Sequence, residues 1–314
     1  MFDANALSAL PPFSKANYQH TDAKAYLAYY RINFVKQGIA QDQSLGRLSL
    51  GSYDIFTHQF TALNPTGSVI LIHGYFDHSA NLRPLIEHFL KKSLNVIVFD
   101  LPGHGLSSGD RSVIHSFKTY QAVLADLIIF LKQRLDFPLS LICGHSTGGA
   151  VAMQHVLSQD FPEVEKLLLI APLVEPIGWP WIKWQRRLAH PFIKTIPRKY
   201  KKNTSNQEFW HFIRHKDPLQ TQVISVDWLK ALEDWLTNDF APAAIKKLPV
   251  LMLQGKNDST VNGKRNALLL KEKFPNMECV FINQAKHQLV NESCDIKKII
   301  FNSIHNFLSN HQTR

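Results

Sequence analysis

The chain has 314 residues, of which 45% are hydrophobic, enough for a sizeable buried core and too many for wholesale disorder. Its formal net charge of +10 invites an anionic partner, yet no helix-turn-helix, zinc-finger or RNP-like motif appears, which argues against nucleic acid. Three cysteines (Cys143, Cys279 and Cys294) lack metal-ligand or disulfide spacing, the N-terminal stretch lacks a basic start with an apolar h-region, and no apolar run approaches ~20 residues. These features predict a soluble, cytoplasmic protein with no metal or cofactor.

In chain order, the first sixty residues read as a leading helix followed by a pair of antiparallel strands across residues 48–60. From about residue 67, short apolar runs alternate with helical patterns, the mark of a mostly parallel sheet. SVILIH at 68–73 reads as a buried strand, followed by a helix through Leu82, Leu85, Ile86 and Phe89 and a strand at 95–99 (NVIVF). Tyr120, Val123, Leu124, Leu127, Ile128 and Leu131 fall on one helical face, and residues 139–143 form the next strand. A helix at 150–157 and a strand at 166–170 (KLLLI) follow.

Residues 175–240 break the alternation with aromatic and basic residues that lack strand patterning. The pattern resumes with PVLML at 249–253, a helix near 267–274, CVFI at 279–282 and a terminal helix in which Ile296, Ile299, Ile300, Ile304, Phe307 and Leu308 keep one apolar face. The expected architecture is α/β: a doubly wound core from residues 1–174 and 241–314, with an inserted helical cap, or lid, at 175–240.

Gly144-His145-Ser146-Thr147-Gly148 matches G-x-S-x-G directly between a strand and a helix, the turn that exposes a nucleophile. A serine hydroxyl is a weak nucleophile near neutral pH and requires a base. In a serine–acid–histidine chain order, His287, His305 and His311 compete for that role. His287 sits in a loop just past a strand, whereas the other two belong to the terminal helix or its end. Asp258, in the loop after residues 249–253, is the matching acid, expected to orient the imidazole; the plainer reading is an aspartate that caps its own turn. The backbone N–H groups of Tyr75, after His73-Gly74, and of Thr147 are the expected oxyanion donors, with Phe76 taking the place of Tyr75 if the turn is offset by one residue. His73 and His78 are expected to be loop scaffolding, and Asp100 structural.

These residues resemble the monoacylglycerol lipase and lysophospholipase branch of the α/β-hydrolase superfamily. The resemblance rests on His73-Gly74-x-x-x-His78-Ser79, Asp100-Leu-Pro-Gly-His104-Gly-x-Ser107 and Gly144-His-Ser-x-Gly-Gly149. It continues through Ala171-Pro-Leu, Gly255-x-x-Asp258-x-x-Val261 and Lys286-His287-x-x-x-Asn291-Glu292, spanning roughly residues 45–310. It implies an α/β-hydrolase fold, with Ser146, Asp258 and His287 as triad and Tyr75 and Thr147 as oxyanion donors. It also implies hydrolysis of a carboxylic ester through an acyl-enzyme, with a monoacylglycerol or lysophospholipid as substrate. An acyltransferase using the same acyl-enzyme, and a non-catalytic membrane- or ligand-binding module on the same scaffold, are the competing readings.

All six tryptophans lie between Trp179 and Trp235, and eight Lys/Arg residues fall between Lys183 and Lys202 without an acidic residue among them. Interleaved aromatic and basic side chains suit peripheral contact with an anionic membrane surface. Tryptophans that pack the insertion onto the sheet beneath a solvated basic face are the alternative.

Overall fold

A computed structural model describes residues 2–134, 138–159, 164–189 and 192–310; His311 lies outside them. Two short helices, α1 (Ala4–Ser8) and α2 (Thr21–Tyr29), precede the hairpin of β1 (Ala40–Leu50) and β2 (Tyr53–Ala62). Then follow β3 (Gly67–Ile72), α3 (Arg83–Leu90), β4 (Leu94–Phe99), α4 (Phe117–Lys132), β5 (Leu139–His145), α5 (Thr147–Leu157) and β6 (Lys166–Ile170). The chain next leaves the sheet through α6 (Trp179–Ala189), β7 (Thr195–Pro197), α7 (Gln207–His215), β8 (Val223–Ser225) and α8 (Val226–Trp235). It returns with β9 (Val250–Gly255), α9 (Gly263–Lys273), β10 (Met277–Ile282) and α10 (Cys294–Asn310).

Eight strands make one sheet in the order β1-β2-β4-β3-β5-β6-β9-β10. The strand β2 runs antiparallel to both β1 and β4, and every other pairing is parallel. The central strands read as continuous apolar runs because both faces are covered. Val69, Leu71, Val96, Val98, Leu141 and Cys143 pack on the side of α2, α3 and α10. Ile70, Ile72, Ile97, Phe99 and Ile142, one residue out of step, pack on the side of α4, α5 and α8. This period-two division between opposite faces is what makes the sheet doubly wound.

Two local readings need correction. The first hairpin is longer than residues 48–60, because β1 begins at Ala40: its polar AQDQS start carries a register shift between Ala40 and Asp42, leaves Gln41 exposed, and buries Gln43 with its Oε1 3.3 Å from His58 Nε2. The 175–240 stretch is also not free of strands, since β7 and β8 pair antiparallel over three residues each.

A buried ion pair joins this stretch to the rest of the chain. Asp217 follows α7, and its Oδ2 lies 2.9 Å from His78 Nε2, both side chains fully buried. The Tyr30 hydroxyl donates to Asp217 Oδ1 at 2.7 Å, and the Asn81 and Gln220 amides donate to Oδ2 at 2.9 and 3.1 Å. Burial pulls the His78 pKa down, but the charge and hydrogen bond of Asp217, helped by Asp100 and Asp77, outweigh it and push it up to about 9. Burial likewise pushes Asp217 up, and His78 and the surrounding donors hold it below the ordinary carboxylate value. The imidazolium therefore stabilises the fold fully below its unfolded value of about 6.5 and loses that contribution as pH rises through about 9. The carboxylate contributes above its ordinary value and loses its contribution as pH falls below it. Asp217→Ala should cost roughly 3–5 kcal/mol near neutral pH by leaving His78 buried without its anion. Denaturant midpoints measured from about pH 6.5 to 9 should fall in the wild type and stay flat in the variant; parallel curves would exclude this pair as the origin.

Candidate active site

The strand β5 runs directly into Ser146, whose backbone sits at φ 52°, ψ −115°, a conformation that L residues avoid. Neighbouring strands hold it there: the Ser146 N–H donates to the Ile170 carbonyl at 2.9 Å, and the Ser146 carbonyl accepts from Leu173 at 3.0 Å. The turn fits only because the backbone around it is bare. A Cβ on Gly148 would lie 2.2 Å from the Ile72 carbonyl oxygen, and one on Gly144 would lie 2.2 Å from the Gly148 carbonyl oxygen.

Ser146, His287 and Asp258, from three distant stretches of chain, meet at the ends of β5, β10 and β9. His287 Nδ1 lies 2.8 Å from Asp258 Oδ2, and His287 Nε2 lies 3.0 Å from Ser146 Oγ. A carboxylate only accepts, so Nδ1 carries the proton, and the bare Nε2 accepts the Ser146 hydroxyl. Asp258 also makes the turn-capping contacts of the plainer reading, because its Oδ1 accepts from the Thr260 and Val261 N–H groups at 2.7 and 3.1 Å. One carboxylate thus serves both, with Oδ2 left for His287 and for the Gln254 amide at 2.9 Å. Burial pushes the Asp258 carboxyl up, but the charge and hydrogen bond of His287, with these donors, hold it below its ordinary value. It stays ionised.

His145 lies beside this line. Burial and the nearby His287 push its pKa down to about 3, so it is neutral. Its Nε2 donates to the His287 carbonyl at 3.1 Å and fixes that loop. His73 Nε2 accepts the Leu101 N–H at 2.9 Å while its Nδ1 donates to the Gly74 carbonyl at 2.8 Å, which shapes the turn before Tyr75. That turn packs against the serine, since a Cβ on Gly74 would lie 3.2 Å from Ser146 Cβ. The Tyr75 hydroxyl donates to the Ser112 carbonyl at 2.8 Å and accepts from Ser225 N–H at 2.9 Å. Among the described residues, neither the Tyr75 nor the Thr147 backbone N–H has an acceptor. Asp100 accepts the Ser79 and Leu106 N–H groups at 2.7 and 2.8 Å. His305 is exposed on α10.

Above Ser146 and His287 opens a cavity of about 380 Å³, within the size range of small-molecule sites. Tyr75, Phe76, Leu173, Ile177, Ile182, Ile224, Trp228 and Leu229 give it apolar walls, and Arg198, Lys199 and Lys201 line the same space. Sequence reasoning counted these cations within a basic run but did not place them beside the serine. Nor did it anticipate Gln254 or the His145 contact, for which spacing carries no signal.

Sheet order and the serine turn together are those of the α/β hydrolases, the class the sequence resembles. Residues 64–294 match the Hydrolase_4 family, described as serine aminopeptidase, S33, and the chain belongs to that family. It is 28% identical over 209 residues to phospholipase YtpA of Bacillus subtilis, covering 63% of this chain and 78% of that protein. It is 24% identical over 267 residues to a monoglyceride lipase homolog of monkeypox virus, covering 78% of this chain and 90% of that one. In structure it resembles a soluble variant of monoglyceride lipase from Saccharomyces cerevisiae, with a TM-score of 0.72 at 20% identity over 86% of this chain and 96% of that one.

The close approach of Gly148 to β3 is open to test. Gly148→Ala should cost at least roughly 1–3 kcal/mol through forced separation of the turn from Ile72. Its denaturation midpoint should drop accordingly; an unaltered midpoint would show that the contact has slack.

Proposed function

We propose that this protein hydrolyses carboxylic esters of single-chain lipids, of the monoacylglycerol or lysophospholipid class, through an acyl-enzyme on Ser146. The observation that carries the proposal is the Ser146–His287–Asp258 line of hydrogen bonds opening on a largely apolar cavity. The named activities of the similar phospholipase and monoglyceride lipase homolog support the same substrate class.

In this reading His287 Nε2 takes the hydroxyl proton as Oγ attacks the ester carbonyl. The Tyr75 and Thr147 N–H groups receive the oxyanion, each donor worth roughly 2.7–4 kcal/mol. His287 then gives its proton to the departing alcohol, and a water activated by the same nitrogen releases the fatty acid. Ionised Asp258 keeps the imidazole in the required tautomer throughout. An aminopeptide fits the cavity less well, because its ammonium would meet Arg198, Lys199 and Lys201. Ser146→Ala should lower turnover of lipid and soluble esters by roughly five to six orders of magnitude and abolish labelling by a fluorophosphonate. Labelling that persists at another residue, with turnover retained, would remove Ser146 from the mechanism.

The proposal includes residues 175–240 as a cap over the core formed by 1–174 and 241–314, and the cap as the membrane-facing surface. Trp179, Trp228 and Trp235 are buried, whereas Trp181 and Trp184 stack on each other in the open, 59% and 52% exposed. Leu188 and Phe192 are exposed as well, with Lys183, Arg187 and Lys194 interspersed along the same stretch of sequence. Among the described residues no helix is long and apolar enough to cross a membrane, so contact would be peripheral. Replacing Trp181 and Trp184 together by serine should weaken sedimentation with anionic vesicles several-fold while sparing hydrolysis of a soluble short-chain ester. Equal sedimentation of variant and wild type would exclude this surface.

A further inference from the structure

We infer that Arg198 is a specificity-determining residue that binds the phosphate of an anionic single-chain lipid ester while its acyl carbon faces Ser146. The inference rests on the ester-hydrolase reading above and narrows it to phosphate-bearing headgroups.

The guanidinium is half-buried and lines the same cavity as Ser146 and His287. It lies between two rings, 4.2 Å from the centroid of Phe76 and 4.3 Å from that of Tyr200. Aromatic faces attract the cation and shield it from water. Its Nη1 donates to Gln220 Oε1 at 2.7 Å and to the Thr221 carbonyl at 3.1 Å, and Gln220 is itself held by Asp217. The orientation is therefore set by the protein, with Nη1 committed to Gln220 and Thr221, the Tyr200 side chain as a further hydrogen-bond partner, and the rest of the planar fork left as donors.

A guanidinium fixed in this way would ordinarily be matched by a carboxylate, since a partly desolvated charge without a counter-ion is unfavourable. Among the described residues no carboxylate closes an ion pair with Arg198; Asp77 and Asp217 favour its charge only from a longer range. Asp77 also lines the cavity, but its Oδ1 accepts the His78 N–H at 3.0 Å and the Asn81 amide at 2.7 Å. Two further cations, Lys199 and Lys201, line the same cavity. This basic segment runs alongside the proposed base, because the Gln288 N–H donates to the Asn203 carbonyl at 2.9 Å. A guanidinium without a carboxylate in direct contact, two neighbouring ammonium groups and an adjoining apolar slot suit a phosphate joined through glycerol to one acyl chain.

The test compares an acyl-matched pair, lysophosphatidic acid and monoacylglycerol, each below its aggregation threshold so that no lipid surface contributes. In Arg198→Gln the ratio of kcat/KM for the phosphate ester over the neutral ester should fall roughly ten- to a hundredfold, mainly through KM, with partial recovery in Arg198→Lys. A ratio that stays constant while both rates fall would mean that Arg198 only supports the cavity wall, and would overturn the inference. A second arm measures binding of an ether-linked lysophosphatidic acid, which cannot be hydrolysed, to wild type and Arg198→Gln by calorimetry. Tenfold or greater weakening in the variant supports the phosphate contact even if neither ester is turned over, an outcome that would sink the ester-hydrolase reading alone. Equal binding to both proteins overturns the inference. Glycerol 3-phosphate serves as the acyl-free control, and affinity equal to that of the ether lipid would assign the site to free phosphate esters instead.

Discussion

The backbone of Ser146 is the constraint on which the site depends. Its positive φ is a strain of order 1–3 kcal/mol that a chain keeps only when its surroundings leave no relaxed alternative. Here the N–H is tied to β6 and the carbonyl to the segment after β6, while α5 is pressed against the end of β3. Relaxing the turn would break bonds to two neighbouring segments at once. The same geometry places the side chain and the first free amides of α5 at one rim of the sheet, where the loops after β9 and β10 arrive with Asp258 and His287.

Two buried histidine–carboxylate pairs stand in this one molecule, and their surroundings explain why only one suits proton transfer. His78 directs its Nε2 at both oxygens of Asp217, in the field of Asp77 and Asp100, and among the described residues its Nδ1 has no hydrogen-bond partner. Such an imidazolium is held tightly and joins α7 to the loop after β3. His287 instead meets its carboxylate through Nδ1 and keeps Nε2 for a hydroxyl at the floor of a cavity. Beside it, neutral His145 steadies the loop without adding a charge. The difference lies in which ring nitrogen the acid occupies and what faces the other.

Legibility in the sequence followed the physics of each element. The central strands were readable because burial on both faces demands unbroken apolar runs, and the serine turn because close backbone approach demands glycine. His287 and Asp258 were readable from their places after strands in a serine–acid–histidine order. The start of β1 was obscured by its polar residues: Gln41 and Asp42 reach solvent, and Gln43 is buried in a pairing with His58, a partner local spacing does not reveal. The exposed Trp181 and Trp184 could not be told from buried Trp179 and Trp228, since all are tryptophans of one aromatic stretch and only tertiary packing separates them. The Asp217–His78 pair spans 139 positions, a distance over which neither local spacing nor composition carries information.

The basic character of residues 183–202 likewise divides once the chain is folded, and the division bears on the two proposals made for this stretch. Exposed lysines on the outer face act through water and salt, where a field decays within about 8–10 Å and distinguishes an anionic surface from a neutral one but not one headgroup from another. Arg198 acts under different conditions: its position is set by two rings, an amide and a carbonyl, and it lines a half-open cavity in which a hydrogen-bonded charge is screened less than on an open surface. In the proposed reading, attraction to a surface and discrimination at the serine fall to different cations within one short stretch. A uniformly solvated basic face would provide the first property without the second, and the placement of Arg198 beside Phe76, inside the cavity that holds Ser146, is what separates them.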